Sequence, residues 1–399
     1  MNDRLDDRLG RTLERRAGLI VDGPRFSAEE IVQAGRAAAR RRTSQMWISA
    51  AAVVGVTVLA SVAAPTVVDS VPQPAHPAPV ASRPTTPPRG LPTRCPVERL
   101  AVPARSIMDM VIGMDPTGRY IVGRTNPGGK SPILDMLIWD NGLLHVVHVP
   151  GDQQLPTDIN TSGVAVGVSG TTGEQAWMYR DGAATYLPGQ RPTRANAIND
   201  GGVVVGSAGR GQPVVWRSPS TEPTVLPMPS GAWEGEARDI AADGTIVGTL
   251  NRQGASMPQA YAWLPNGTLR KLRLPVIDGA KATTSRAMSI SDGWVAGTAR
   301  GPHGDVPTRW NLRTGEVQTF PEMSIGGRSV SADGWLVGNN REGRAVLASH
   351  PGTLTLPDLN NHNSSLANYA VAISRNGHLI AGDGSPAGDL PVPVIWRCG

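Results

Sequence analysis

The sequence predicts an all-β ectodomain: a seven-bladed β-propeller closed by an N-terminal strand, preceded by one transmembrane helix and a helical cytoplasmic tail. Three observations predict it. A strand–turn–strand unit ending in glycine recurs seven times, at Gly123, Gly167, Gly206, Gly248, Gly297, Gly338 and Gly382, with spacings of 44, 39, 42, 49, 41 and 44 residues. Gly and Pro, 47 and 35 of the 399 residues, are plentiful where helices tolerate them least and turns use them most. The last repeat stops one strand short, and a matching segment stands ahead of the first.

The third repeat shows the unit most fully. Ala197-Ile198-Asn199-Asp200-Gly201-Gly202 leads into Val203-Val204-Val205-Gly206, then Val214-Val215-Trp216, then Val225-Leu226-Pro227. The third strand bears Trp139, Trp177, Trp216, Trp263, Trp310 and Trp396, with Leu347 in the sixth repeat. The fourth strand ends at Val149-Pro150, Leu187-Pro188, Leu226-Pro227, Leu274-Pro275, Phe320-Pro321 and Leu356-Pro357. Four short strands in roughly 43 residues match one propeller blade, which cannot bury its faces alone and must stack on its neighbours. With only 2 Phe and 5 Tyr in the chain, Trp is the expected aromatic filler between blades.

The seventh repeat ends at Val394-Ile395-Trp396-Arg397-Cys398-Gly399, so Leu100-Ala101-Val102-Pro103 is expected to supply its missing fourth strand. The only two cysteines, Cys95 and Cys398, flank the gap where the other blades have a continuous turn. A Cys95–Cys398 disulfide follows, and with it an oxidising compartment.

Ahead of this domain (95–399) three further segments are expected. Residues 46–64 are the apolar centre of a 26-residue uncharged stretch, Thr43 to Val68. That length suits a span, which needs about 20 apolar residues. Arg36, Arg40, Arg41 and Arg42 precede it and Asp69 follows, so the positive-inside rule puts the N-terminus in the cytoplasm and the C-terminal domain outside the cell membrane. A cleaved signal peptide ending near Val62-Ala63-Ala64 is the alternative; the 45 residues before the apolar segment argue against it. Residues 1–45 form the tail: Ser27-Ala28-Glu29-Glu30 fits a capping box, and Leu5, Leu9 and Leu13 recur at helical spacing. The tail suits the inner membrane face or a cytoplasmic partner. Residues 65–94 carry nine prolines and no aromatic residue, the composition of an extended linker.

The net charge of +5 suggests an anionic partner until it is divided along the chain. Residues 1–45 contribute +3 and 46–94 contribute +2, while 95–399 hold 25 basic and 25 acidic residues. A nucleic-acid-binding domain carries its positive charge on the folded domain, so no nucleic-acid partner is expected.

The run Ala-Ile-Asn-Asp-Gly-Gly-Val-Val-Val-Gly-Ser at 197–207 resembles the bacterial extracellular repeat known as HAF. The likeness spans about 107–398 and is strongest in repeats two to four. It implies a secreted or surface-exposed propeller; it implies no catalytic activity and supplies no catalytic residues.

No Gly-x-Ser-x-Gly elbow, Walker loop, His-Glu-x-x-His or Cys-x-x-Cys occurs. Catalytic residues, a bound metal and a cofactor are accordingly not expected. His145 and His148 fall on opposite faces of a predicted strand. Asp243-Gly244, Asp292-Gly293 and Asp333-Gly334 serve turns. The polar segment 358–365 could hold a hard cation but reads more simply as a solvated loop. Near the start of successive inner strands stand Arg194, Arg238, Arg286 and Arg328, with Trp233, Glu234 and Glu236 beside one of them. Four guanidinium groups around a channel mouth could receive a carboxylate or phosphate. The alternative is that Glu234, Glu236, Asp239 and Asp158 pair with them in a closed structural network. The expected function is a binding or interaction scaffold, monomeric and displayed at the bacterial envelope to an envelope glycan, a small anionic ligand or a protein. A glycan lyase or hydrolase working at the channel mouth, or a sensor signalling through the tail, are the alternatives.

Overall fold

The computed structural model describes residues 90–399 apart from 105, 107, 127–134, 150–153, 171–173, 351, 360–367 and 387–389. The expected tail, span and most of the linker lie outside the described residues, as does the greater part of the polar segment 358–365. Among the described residues no helix is long and apolar enough to cross a membrane, and the regular structure is strand throughout.

The strands form seven four-stranded antiparallel sheets and one two-stranded hairpin. Blade one runs Met108–Met114, Tyr120–Asn126, Asp135–Asp140 and Leu143–Val147. Blade two begins at Leu155–Ile159, blade three at Thr193–Ile198, blade four at Trp233–Ile240, blade five at Thr284–Ser291, blade six at Met323–Val330 and blade seven at Tyr369–Ile373. The fourth strand of blade seven is Val97–Arg99, which pairs antiparallel with Val394–Trp396. The chain thus forms a seven-bladed propeller closed by its N-terminal strand, and Cys95 bonds to Cys398 across the closure with Cα atoms 4.0 Å apart.

Blade-to-blade packing makes the core. Val166, Ala176 and Met178 of blade two meet Ala195, Val204 and Trp216 of blade three. Val247, Ala260 and Ala262 of blade four meet Ala287, Val295 and Trp310 of blade five in the same way. Five tryptophans occupy one repeated position. Trp139, Trp216, Trp263, Trp310 and Trp396 each donate the indole N–H to a carbonyl of the preceding blade, those of Ala101, Pro188, Pro227, Arg273 and Pro357, at 2.7–2.8 Å. Each ring therefore fills an apolar seam and also satisfies the backbone where the outer strand leaves the sheet.

This regularity corrects three expectations. The closing strand ends at Leu100-Ala101, two residues before Val102-Pro103: Leu100 N–H donates to Pro393 O as Leu187 N–H does to Ala176 O. In blade four the equivalent residue is Leu272, whose N–H donates to Ala260 O, and not Leu274. Leu274-Pro275 instead leads into an inserted hairpin, Val276–Ile277 with Ala280–Lys281, whose Ile277 packs on Ala299 of blade five. Trp177 is the third exception. It pairs with Gly167, whereas Trp216 pairs with Val204, so Tyr179 takes the repeated position in blade two. The indole N–H of Trp177 has no partner among the described residues.

Each innermost strand carries a register shift near its middle, in blade three between Ala195 and Ala197 and in blade four between Ala237 and Asp239. A β-bulge of this kind bends the strand and leaves one residue unpaired. The repeated glycine exists because of it. In Gly206, Gly248, Gly297 and Gly382 an added Cβ would be driven into the carbonyl of the residue two positions before the bulge, for example Arg194 O against Gly206.

Candidate functional site

The bulges define the axis of the ring. Their unpaired residues are Ile112, Thr157, Asn196, Arg238, Met288 and Val371, with Arg328 in the wider bulge between Gly326 and Val330. All seven line one axial cavity of about 650 Å³. One extra residue per inner strand thus turns one side chain per blade toward the axis. The ring so made holds two guanidinium groups, one amide, one hydroxyl and three apolar side chains.

The next position along the strand adds an acid in blades two and four. Asp158 and Asp239 also line the cavity, half-buried in its wall. Asp158 Oδ2 accepts Ile198 N–H of blade three at 2.8 Å, and Asp239 Oδ2 accepts Ile290 N–H of blade five at 2.7 Å. In blade six the same service to blade seven comes from Ser329 Oγ, which accepts Ile373 N–H at 3.1 Å. The preceding blade thus satisfies these amides on the inner edge of the sheet. Burial pushes the Asp158 carboxyl well above the usual carboxylate range, and repulsion from Asp239 adds to the rise against the Ile198 and Ile159 amides. Burial likewise raises Asp239, opposed by the Ile290 and Ile240 amides, by Ser289 and by Arg238.

The four arginines singled out in the sequence part company. Arg238 and Arg328 face the cavity. Arg194 and Arg286 stand two positions before the bulge, where the register neighbour in blade four is Glu236 and not Arg238. They do not line the cavity. Arg194 pairs with Glu174 at 2.6 Å, and Arg286 lies 4.0 Å from Asp305. Glu236 reaches Arg238 at 3.3 Å and accepts from the Asn196 amide at 3.4 Å. Trp233 donates to Ser230 O at 3.1 Å and stands edge-on to Tyr261, 6.3 Å between ring centroids. Arg328 is exposed and makes no ion pair among the described residues.

At one end the cavity reaches the turns between strands one and two. There Arg375 binds Asp292 through both guanidinium arms, at 2.7 and 2.8 Å. Asn196 and Thr157 are site residues that the spacing of charged residues does not reveal; the bulge position reveals them. Among the described residues no group of three or more His, Cys, Asp or Glu side chains gathers as a metal site. His148 lies 3.1 Å from Asp135, away from the channel.

No protein-family model matches the chain, and neither does any curated protein sequence. Solved structures do match. One is the β-propeller domain of the Trilobed protease from Pyrococcus furiosus, described as having an open velcro topology. It is 12% identical, the match covers 72% of this chain and 95% of that one, and the TM-score is 0.50. An oligogalacturonate lyase in complex with manganese is 10% identical over 72% of this chain and 76% of that one, TM-score 0.38. A puromycin-hydrolysing peptidase of Mycobacterium tuberculosis is 15% identical over 53% of this chain and only 36% of its own length, TM-score 0.37. The first of these likenesses speaks for the propeller fold and for nothing finer.

Proposed function

We propose that the chain is a single-pass membrane protein holding a ligand-binding propeller outside the cell, and that the axial cavity takes an acidic sugar or a similar small carboxylate of the envelope. The observation that carries this reading is the shared placement of Arg238, Arg328, Asp158, Asp239 and Asn196 around one cavity of about 650 Å³, within the range of small-molecule sites. Guanidinium groups grip a carboxylate with directed N–H donors. Carboxyl and amide oxygens accept sugar hydroxyls. The apolar span at 46–64, the Pro-rich linker and the HAF-like repeats support display at the cell surface. The Cys95–Cys398 disulfide agrees with an oxidising compartment.

A hydrolase or lyase receives less support. An acid–base pair needs two titratable groups whose environments push them apart, whereas burial drives Asp158 and Asp239 in the same direction. A thermal-shift panel on the full chain in detergent, using glucuronate, N-acetylmuramate and their neutral parent sugars, tests the proposal. A ligand that binds the native state raises the melting temperature by mass action. A shift with the acids that the neutral sugars do not produce supports it; no shift with any acid refutes it and redirects the search to protein partners.

A further inference from the structure

The seam between blades seven and one holds a polar group that the propeller repeat does not explain. Asp109, Thr125 and Asp383 are 6%, 2% and 8% exposed. Asp109 and Thr125 are cross-strand partners in blade one, so their side chains share a face. Two residues further along the same strand, Val111 packs against Ala372, Ala381 and Ile395 of blade seven; Asp109 therefore faces blade seven. Asp383 lies two residues beyond Ala381 and faces back, its Oδ1 accepting Val111 N–H at 3.0 Å. The three side chains converge.

Their hydrogen bonding is incomplete. Asp109 Oδ2 accepts from Ser106, but Asp109 Oδ1 and Thr125 Oγ1 are buried without a partner among the described residues. No described basic side chain pairs with either carboxyl. The equivalent positions in other blades show what is missing. Thr193 Oγ1 accepts Ala176 N–H at 2.9 Å, and Ser285 Oγ accepts Ala260 N–H at 3.0 Å. In blade seven the equivalent of those alanines is Pro393, which offers no N–H. Blade three also has a proline there, Pro213, and the residue facing it is Gly235, with no side chain at all. An acid facing Pro393 therefore finds no backbone N–H there, and a second acid beside it compounds the cost of burying charge.

We infer that Asp109, Asp383 and Thr125 bind a hard divalent cation, of the calcium class, that clamps blade one to blade seven. Two carboxylates and a hydroxyl are the oxygen donors such an ion takes, with water and backbone carbonyls completing its shell. The site lies between blades seven and one, whereas the disulfide packs in the core between blades six and seven, so the ion would hold blade seven on the face opposite the covalent closure.

The full chain in detergent, stripped with EDTA and dialysed against chelator-free buffer, is titrated with calcium chloride by calorimetry and melted with and without it. The expected result is about one calcium per chain and a melting temperature several degrees higher with calcium. Asp109→Asn should lose both the binding and the shift. Thr125→Val, which keeps both charges, should bind more weakly. A wild-type chain that binds no calcium and melts alike in calcium and EDTA overturns the inference, and leaves a proton shared between the carboxyls as the explanation of the pair. A calcium shift that persists undiminished in Asp109→Asn overturns it too, since the ion then binds elsewhere.

Discussion

Replacing Cys95 and Cys398 together by alanine should destabilise the ring more than any single surface change. The bond closes a loop with a sequence separation of 303 residues. In the chain-entropy account, a loop of that length removes about 19 cal/mol/K from the unfolded chain, or about 5.7 kcal/mol at 25 °C. Unfolding a domain of roughly 300 residues carries an entropy of about 0.6 kcal/mol/K, so the melting temperature should fall by about 9 °C. Both cysteines are buried, so the lost sulfur contacts add to the change. Val97–Arg99 is then held to the rest of blade seven by non-covalent bonds only, its three ladder pairs and the Arg397–Glu98 ion pair among them, and this closure should open first. The assay is guanidinium unfolding followed by tryptophan fluorescence, with hydrogen exchange at Val394–Trp396 reporting the closure. Trp396 is buried there, which makes it the natural probe. A loss below about 1 kcal/mol, with unchanged exchange in blade seven, would refute the claim that the bond locks the ring.

Further expectations follow from the repeat and the channel. Gly206→Ala drives a Cβ into the Arg194 carbonyl and should cost about 1–3 kcal/mol or more; Gly352→Ala, whose nearest neighbour is Leu91 Cδ1 at 3.5 Å, should stay within about 0.5 kcal/mol of wild type, both read by chemical denaturation. Trp216→Phe strands the Pro188 carbonyl and should cost about 1–3 kcal/mol from the lost partner alone, measured the same way. Asp158 has a raised folded-state pKa, so the folded state binds its proton more tightly than the unfolded state does. Its contribution is present below the unfolded value near 4 and is lost as pH rises through the folded value. Asp158→Asn keeps the acceptor for Ile198 and should flatten that decline in unfolding free energy between pH 4 and neutral; an unchanged pH profile contradicts the assignment. A tag after Gly399 should be reachable by antibody on intact cells, and a tag before Met1 only after permeabilisation.

Blade number, strand order and ring closure were legible because glycine, tryptophan and Leu-Pro mark three strands of each unit at nearly constant spacing. The disulfide was legible because only two cysteines exist and both fall at the missing turn. Finer register was not. Leu274-Pro275 repeats the Leu-Pro sign but belongs to an inserted hairpin, and the true blade-four residue, Leu272, has no proline after it. Trp177 sits two residues from the repeated tryptophan position, and nothing in its neighbours signals the offset. The channel was the least legible part. Arg194, Arg238 and Arg286 look periodic in sequence, yet Arg238 stands at the bulge while the other two stand two positions before it. Arg238 points in, while Arg194 and Arg286 pair with Glu174 and Asp305 outside the cavity. The bulge is specified by the carbonyl lying against the repeated glycine, a contact between strands that no local pattern spells out.

The division between channel and outer arginines gives the most direct test of the proposed binding site. Glucuronate and N-acetylmuramate are titrated into the full chain, into Arg238→Ala/Arg328→Ala and into Arg194→Ala/Arg286→Ala, by calorimetry at low salt. The account predicts that the channel pair loses binding by at least tenfold while the outer pair changes it less than twofold. Equal losses in both, or binding that survives the channel substitutions, would contradict the axial cavity as the site.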